Sequence, residues 1–148
     1  MSRMAATLNK GWYFSGQFSN YLKESRGTDS DGIPPRRFVF CLQNHDQIGN
    51  RAFGERLHHQ IELCAFRAAS VLMLCAPATP MIFMGQECAA SSPFLYFTDH
   101  PPELGRLVTE GRRREFKAFR QFSDEVARSS IPDPQAESTF ALSQLHWE

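Results

Sequence analysis

Phe38-Val39-Phe40-Cys41-Leu42 leads directly into Gln43-Asn44-His45-Asp46-Gln47-Ile48-Gly49-Asn50-Arg51, and this join decides how the chain is read. An apolar run without alternation suits a short strand buried on both faces, as in a parallel sheet. The polar residues after it, broken by Gly49, make a loop. From Leu57 onward apolar residues recur at 57, 61, 64, 65, 68, 71, 72 and 75, a helical stripe that leaves Leu63 and Phe66 off it. Pro77 stops that helix near Ala76, because proline has no amide to donate to another turn. A second apolar run, Met81-Ile82-Phe83-Met84, ends at Gly85-Gln86-Glu87. Residues 38–87 therefore read as a βαβ unit with parallel strands. The expected class is α/β. Two strands do not close a sheet, so both edges would expose unpaired backbone, and the chain reads as part of a larger fold.

The flanks are less regular. Residues 1–37 form a loop region after a short helix closed by Lys10-Gly11, with Trp12, Tyr13, Phe14, Phe18 and Tyr21 close together. Those aromatics suit either packing under a loop or a platform for a sugar or base. Residues 26–35 are turn-forming almost throughout, being rich in Gly, Asp and Pro. Residues 88–148 form a loop and helix region. It holds an irregular aromatic stretch at 93–102, a short helix near Thr109–Phe122 and a turn-rich tail from Ile131-Pro132-Asp133-Pro134. The basic run Arg112-Arg113-Arg114 is expected to be a solvated helix face.

Composition narrows the partners. The 148 residues are 42% hydrophobic and 22% charged, as in an ordinary globular domain, and 16 Lys and Arg balance 16 Asp and Glu. A chain of zero net charge has no general attraction for phosphate backbones or anionic membranes, so neither nucleic acid nor membrane is an expected partner. No 18-residue apolar run spans a bilayer, and Met1–Lys10 lacks the apolar core of a signal peptide. Cys41, Cys64, Cys75 and Cys88 form no C-x-x-C pair and read as reduced thiols of a cytoplasmic protein.

In parallel α/β folds functional groups gather where strands end, at the C-terminal rim of the sheet. One strand end delivers Asn44, His45 and Asp46, and the other delivers Gln86 and Glu87. The plainer reading makes Asn44, His45 and Asp46 caps of a loop or helix, and gives Glu87 a salt bridge. No nucleophile elbow, P-loop or dinucleotide glycine motif is present. A metal phosphohydrolase is the rival reading, with His45-Asp46, His58 and His59 as ligands. Adjacent His58 and His59 would diverge by about 100° on a helix, which argues against a shared ion. No metal or other cofactor is expected.

The stretch FVFCLQNHDQIGNRAFGERL resembles the fourth conserved region of the α-amylase superfamily of glycoside hydrolases, marked by Asn-His-Asp after the seventh barrel strand. ATPMIFMGQE resembles the eighth strand and its end. The extended NHDQ, GNRA and GERL elements, with PFLYFTDH, EGRRREF, IPDP and the upstream GWYFSGQFSNYL, resemble the maltooligosyltrehalose trehalohydrolase family more closely. That resemblance implies a partial (β/α)₈ barrel covering about the last two βα units. It implies a retaining hydrolase that cuts the α-1,4 bond beside the trehalose end of maltooligosyltrehalose, or acts on a related α-glucan oligosaccharide. Asp46 would be the carboxylate that stabilises the oxocarbenium-like transition state, with Asn44, His45, Gln47, Glu87 and Asp99 binding substrate. Retention also needs a nucleophile and an acid/base, which the family carries upstream of strand seven, and no Gly-Phe-Arg-x-Asp-type strand precedes Trp12. The chain alone is thus expected to be inactive, either a barrel fragment or a non-catalytic glucan-binding remnant, and to self-associate through its sheet edges. Cys88 stands where the family has Trp, and Gln144 and His146 replace Lys and Asp of a closing motif.

Overall fold

The computed structural model describes residues 3–146, which fall into two compact units. One comprises the chain up to Leu42 together with Arg67–Met81; the other comprises Gln43–Phe66 and the chain from Ile82 onward.

The first unit opens with helix α1 (Arg3–Lys10), which ends as expected at Gly11. Gly11 adopts φ +88°, its N–H caps the Thr7 carbonyl at 2.8 Å, and a Cβ there would strike the Phe38 ring at about 2.5 Å. A short antiparallel pair follows, β1 (Phe18–Ser19) with β2 (Glu24–Ser25). Strand β3 (Val39–Phe40) then pairs in parallel with β4 (Thr79–Pro80) in the register Val39↔Thr79 and Phe40↔Pro80. Between them in sequence runs α3 (Leu63–Leu74), so the strand–helix–strand order and the parallel pairing hold.

Three expectations need correction here. The first strand covers 39–40 rather than 38–42, and Val39 is 61% exposed rather than buried on both faces, because a two-stranded sheet gives it one neighbour. The second strand lies at 79–80, not 81–84. Its ladder uses the N–H groups of Thr79 (to Phe38 O, 2.9 Å) and Met81 (to Phe40 O, 2.7 Å), so the amide that Pro80 lacks falls between two bonding positions. In α3 the buried side chains are Phe66 and Met73, both off the apolar stripe, while Val71 and Leu72 on the stripe face solvent. The helix does stop short of Pro77, as expected. Of the early aromatics, Trp12 is engaged in packing: its ring meets Phe38 edge-on at 5.3 Å and its Nε1 donates to Thr28 O.

The second unit is mainly helical: α2 (His45–Gly49), α4 (Pro102–Phe116), α5 (Glu125–Ser129) and α6 (Glu137–Leu142), with 3₁₀ turns at Leu57–His59 and Arg120–Phe122. Its core is Ala52, Phe116, Phe122 and Ile131. A separate chain of edge-on rings runs Phe83–Phe94–Phe97–Phe140 with centroids 5.1–5.7 Å apart. Helix α4 begins earlier than 109, with Pro102 pre-set for a first turn, and the tail read as turns contains α6. Among the described residues no helix is long and apolar enough to cross a membrane, and Cys41, Cys64, Cys75 and Cys88 form no disulfide.

Candidate functional site

The polar join begins one helical turn. Asn44, in extended conformation, caps α2: its Oδ1 accepts from the Asp46 N–H at 2.8 Å and the Gln47 N–H at 3.4 Å. Gln47 reaches back, its Oε1 accepting from the Asn44 N–H at 2.7 Å. This reciprocal capping box occupies Asn44 and Gln47 with the backbone. The capping role set against function thus describes Asn44, with Gln47 as a partner that reading had not named. It does not describe the pair between them. The side chains of His45 and Asp46 are 69% and 70% exposed, and among the described residues the charge contact they make is with each other, Nε2 to Oδ1 at 3.4 Å.

Two buried arginines hold the segments around this turn. Arg112 on α4 sends Nη2 to the carbonyls of Gly49 and Arg51, both at 2.8 Å, at the C-terminal end of α2. Its guanidinium lies over Tyr96 (4.7 Å) and Phe116 (5.2 Å). The first arginine of the basic run is therefore buried, not solvated, because these carbonyls and ring faces satisfy its charge. Burial pulls its pKa down, while Tyr96 and Glu115 act in the opposite direction.

Arg56, fully buried, sends Nε to Ser92 O (2.6 Å) and Nη1 to Met84 O (2.7 Å), and lies over Phe83. The segment 84–92 is thus wrapped around one guanidinium. Gly85, at φ +81°, permits this, since a Cβ there would meet Leu145 and Ala90 at about 2.7–2.8 Å. Glu87 projects from that segment as an exposed side chain, and Gln86 beside it is buried. Cys88 directs its thiol to Gly85 O at 3.6 Å.

Asp99 is exposed on a strap fixed on either side. Thr98 N–H donates to Pro134 O (2.8 Å), and Gln135 binds His100 through both N–H (3.2 Å) and C=O (2.8 Å). Among the described residues no hydrogen bond or ion pair joins Glu87 or Asp99 to Asp46, so the site residues share exposure in one unit rather than a bonded network.

The two adjacent histidines do converge, contrary to the divergence expected of a helix. His58 Nε2 and His59 Nε2 both meet Ala90 O, at 2.8 and 3.1 Å, because they sit on a 3₁₀ turn beside that carbonyl. His59 Nδ1 also accepts from the Arg56 N–H (3.2 Å), which places its neutral proton on Nε2. Burial pushes the His58 pKa down; the Ala90 hydrogen bond opposes this, and neighbouring His59 and Arg56 reinforce it. Among the described residues no group of three His, Cys, Asp or Glu could hold a metal ion. Sequence reading did not single out Arg56 or Gln135, gave Gln43 no role of its own and placed Arg112 on a solvated face. Gln43, buried after the first strand, accepts the Leu57 N–H at 2.9 Å. Arg56 beside Glu55, Gln43 beside Asn44 and Arg112 beside Arg113 stand in polar company, so no local pattern marked them as buried.

No family model matches the chain. A malto-oligosyltrehalose trehalohydrolase from Deinococcus radiodurans is 49% identical over 97% of this chain and 24% of its own length. Proteins of the same name from Mycobacterium tuberculosis and Saccharolobus solfataricus are 36% and 37% identical over 99% and 91% of the chain. A crystal structure of a protein described as an α-amylase from Salmonella typhimurium superposes with a TM-score of 0.84 at 41% identity, over 98% of this chain and 24% of that one. The chain spans about a quarter of the length of the curated relatives it matches. Along nearly its whole length it is thus related to the malto-oligosyltrehalose trehalohydrolases, and it corresponds to about a quarter of such a protein.

Proposed function

We propose that this chain is the portion of a (β/α)₈-barrel glycoside hydrolase that presents one wall of the sugar subsite, after barrel strands seven and eight. The whole enzyme would be a retaining hydrolase releasing trehalose from maltooligosyltrehalose. One observation carries the reading: within the polar run 44–47 the fold consumes Asn44 and Gln47 as caps and leaves His45 and Asp46 outward, without structural work. Asp46 would strengthen its hold on ring hydroxyls as charge develops at the anomeric carbon, a differential contact that lowers the barrier. His45 would bind the same sugar, with Glu87 and Asp99 as further exposed contacts; Asn44 and Gln47 would act mainly by holding the turn.

The 148 residues contain no counterpart of the nucleophile and acid/base that the family resemblance expects, so this chain would release no trehalose unaided. The open edges of β3 and β4, with Val39, Met81 and Ile82 exposed, support self-association. A cytoplasmic setting is part of the proposal, supported by the absence of disulfides among the described cysteines.

Two measurements test this. Incubation with maltotriosyltrehalose should give no trehalose above background, and a rate within about tenfold of an ordinary glycosidase turnover of ~10 s⁻¹ would refute the division of catalytic groups. Light scattering on a gel-filtration column should show species heavier than the 16.9 kDa monomer. Saturable glucan binding without turnover would favour the non-catalytic binding reading for the isolated chain.

A further inference from the structure

Helix α4 carries exposed Arg114 and Lys117, with half-buried Arg113 on the flank between them and the buried face of Gly105, Thr109, Arg112 and Phe116. Helix α5 turns Arg128 toward the same place, and together they line an open cleft of about 340 Å³. Glu110 and Glu125 also border it, but Glu110 is held by Arg106 at 2.6 Å, an i,i+4 pair along α4. Among the described residues none of the four cleft cations forms an ion pair. Arg113 Nε is moreover buried and has no acceptor within the protein. A guanidinium N–H shut away from water without an acceptor is costly, and the cost disappears when an external oxygen meets it. Four cations against one uncommitted carboxylate make that oxygen an anion's.

We propose that the α4–α5 cleft binds a small tetrahedral oxyanion of the phosphate class, free or as a sugar phosphate. This is a site apart from the outward face of α2, and it stands whether or not the proposed hydrolase function does. The guanidinium forks of Arg113 and Arg114 on α4 match the oxygens of a phosphoryl group, and Arg128, whose Nη1 already donates to Phe122 O (3.0 Å) and Ser123 O (2.7 Å), adds charge; an uncharged glucan would gain little from them.

Calorimetric titration of the 148-residue chain with inorganic phosphate and with glucose 6-phosphate, at ionic strength held constant with sodium chloride, tests the site. Saturable binding with Kd at or below about 1 mM is expected, the scale of a few charge-assisted hydrogen bonds. Arg114→Gln with Lys117→Gln should weaken it about tenfold or more, whereas Arg36→Gln with Arg37→Gln, which do not line the cleft, should leave it unchanged. Arg113→Gln should lose binding while leaving the unliganded melting temperature equal or higher, since it removes the unmatched donor. Equal affinity for both ligands identifies the phosphoryl group as the determinant; tighter glucose 6-phosphate identifies a sugar phosphate. No saturable heat up to about 20 mM of either, or equal weakening by both double variants, would overturn the proposal.

Discussion

Replacing Arg112 by Ala is expected to destabilise the chain far more than the same change at Arg114, two residues on and on the other side of the same helix. Arg112 supplies charged donors to two carbonyls at 2.8 Å, and each such bond is worth about 1.5–3 kcal/mol. Stacking on Tyr96 and Phe116 adds about 0.5–2 kcal/mol. Against this gross gain of about 4–8 kcal/mol stands the desolvation of the guanidinium, the same burial that lowers its pKa, which cancels roughly half. A net loss of about 3 kcal/mol follows, or roughly 10 °C in melting temperature at 2–4 °C per kcal/mol for a chain of this size. Arg112→Lys should recover only part, because an ammonium cannot stack as a guanidinium does. Urea titration followed by circular dichroism reads the stability, and amide exchange at Ile48–Arg51 reads the end of α2 directly. Arg114 is exposed and unpaired, so its alanine variant should stay within about 0.5 kcal/mol of wild type. If the two variants melt together, or if exchange near Arg51 is unchanged, Arg112 is not what holds α2.

Other outcomes follow from the same contacts. His58 has a folded pKa below its ordinary 6.5, so its contribution is fully present above pH 6.5 and is lost as pH falls from there through the folded value. Urea midpoints measured from pH 8 to 5 should therefore drop on acidification, and His58→Gln should flatten that slope; an identical slope would refute the assignment. Asn44→Ala should cost about 1 kcal/mol by removing the α2 cap, as measured by urea denaturation, with no loss if the cap is incidental. Asp46→Asn should shift stability by less than about 1 kcal/mol, because only a first-turn charge is lost. In a full-length relative the matching change should lower kcat by about 10²–10⁴ in a trehalose-release assay; a change confined to KM would make Asp46 a uniform binder.

Local signals survived translation into structure well. Gly11 and Pro77 ended their helices where backbone chemistry requires, and the first apolar run did find a parallel partner, though at Thr79–Pro80 and not at 81–84. What failed was burial. Continuous apolar runs and the α3 stripe were read as buried, yet Val39, Val71 and Leu72 face water. The pattern of a strand or helix records the neighbours it is built to meet, and this chain alone supplies few of them. Arg112 failed in the opposite direction: a charge run signals solvent unless one member finds carbonyls and rings, and which member does so depends on α4 lying beside residues 49–51. The polar join was legible as a candidate, and its internal division was open to reading too: Asn44 three residues before Gln47 is the spacing of a capping box, a signal left unused.

That division has a consequence for how the stretch can drift. Folding imposes a demand at 44 and 47, where a change unravels the first turn, and imposes almost none at 45 and 46. A lineage kept only for its shape would hold on to Asn44 and Gln47 and let the two positions between them wander through any residue that tolerates a helical first turn. A library randomised at these four positions and sorted for stability should return the outer pair and forget the inner one. His45 and Asp46 are thus the positions of this stretch whose identity the fold does not itself require.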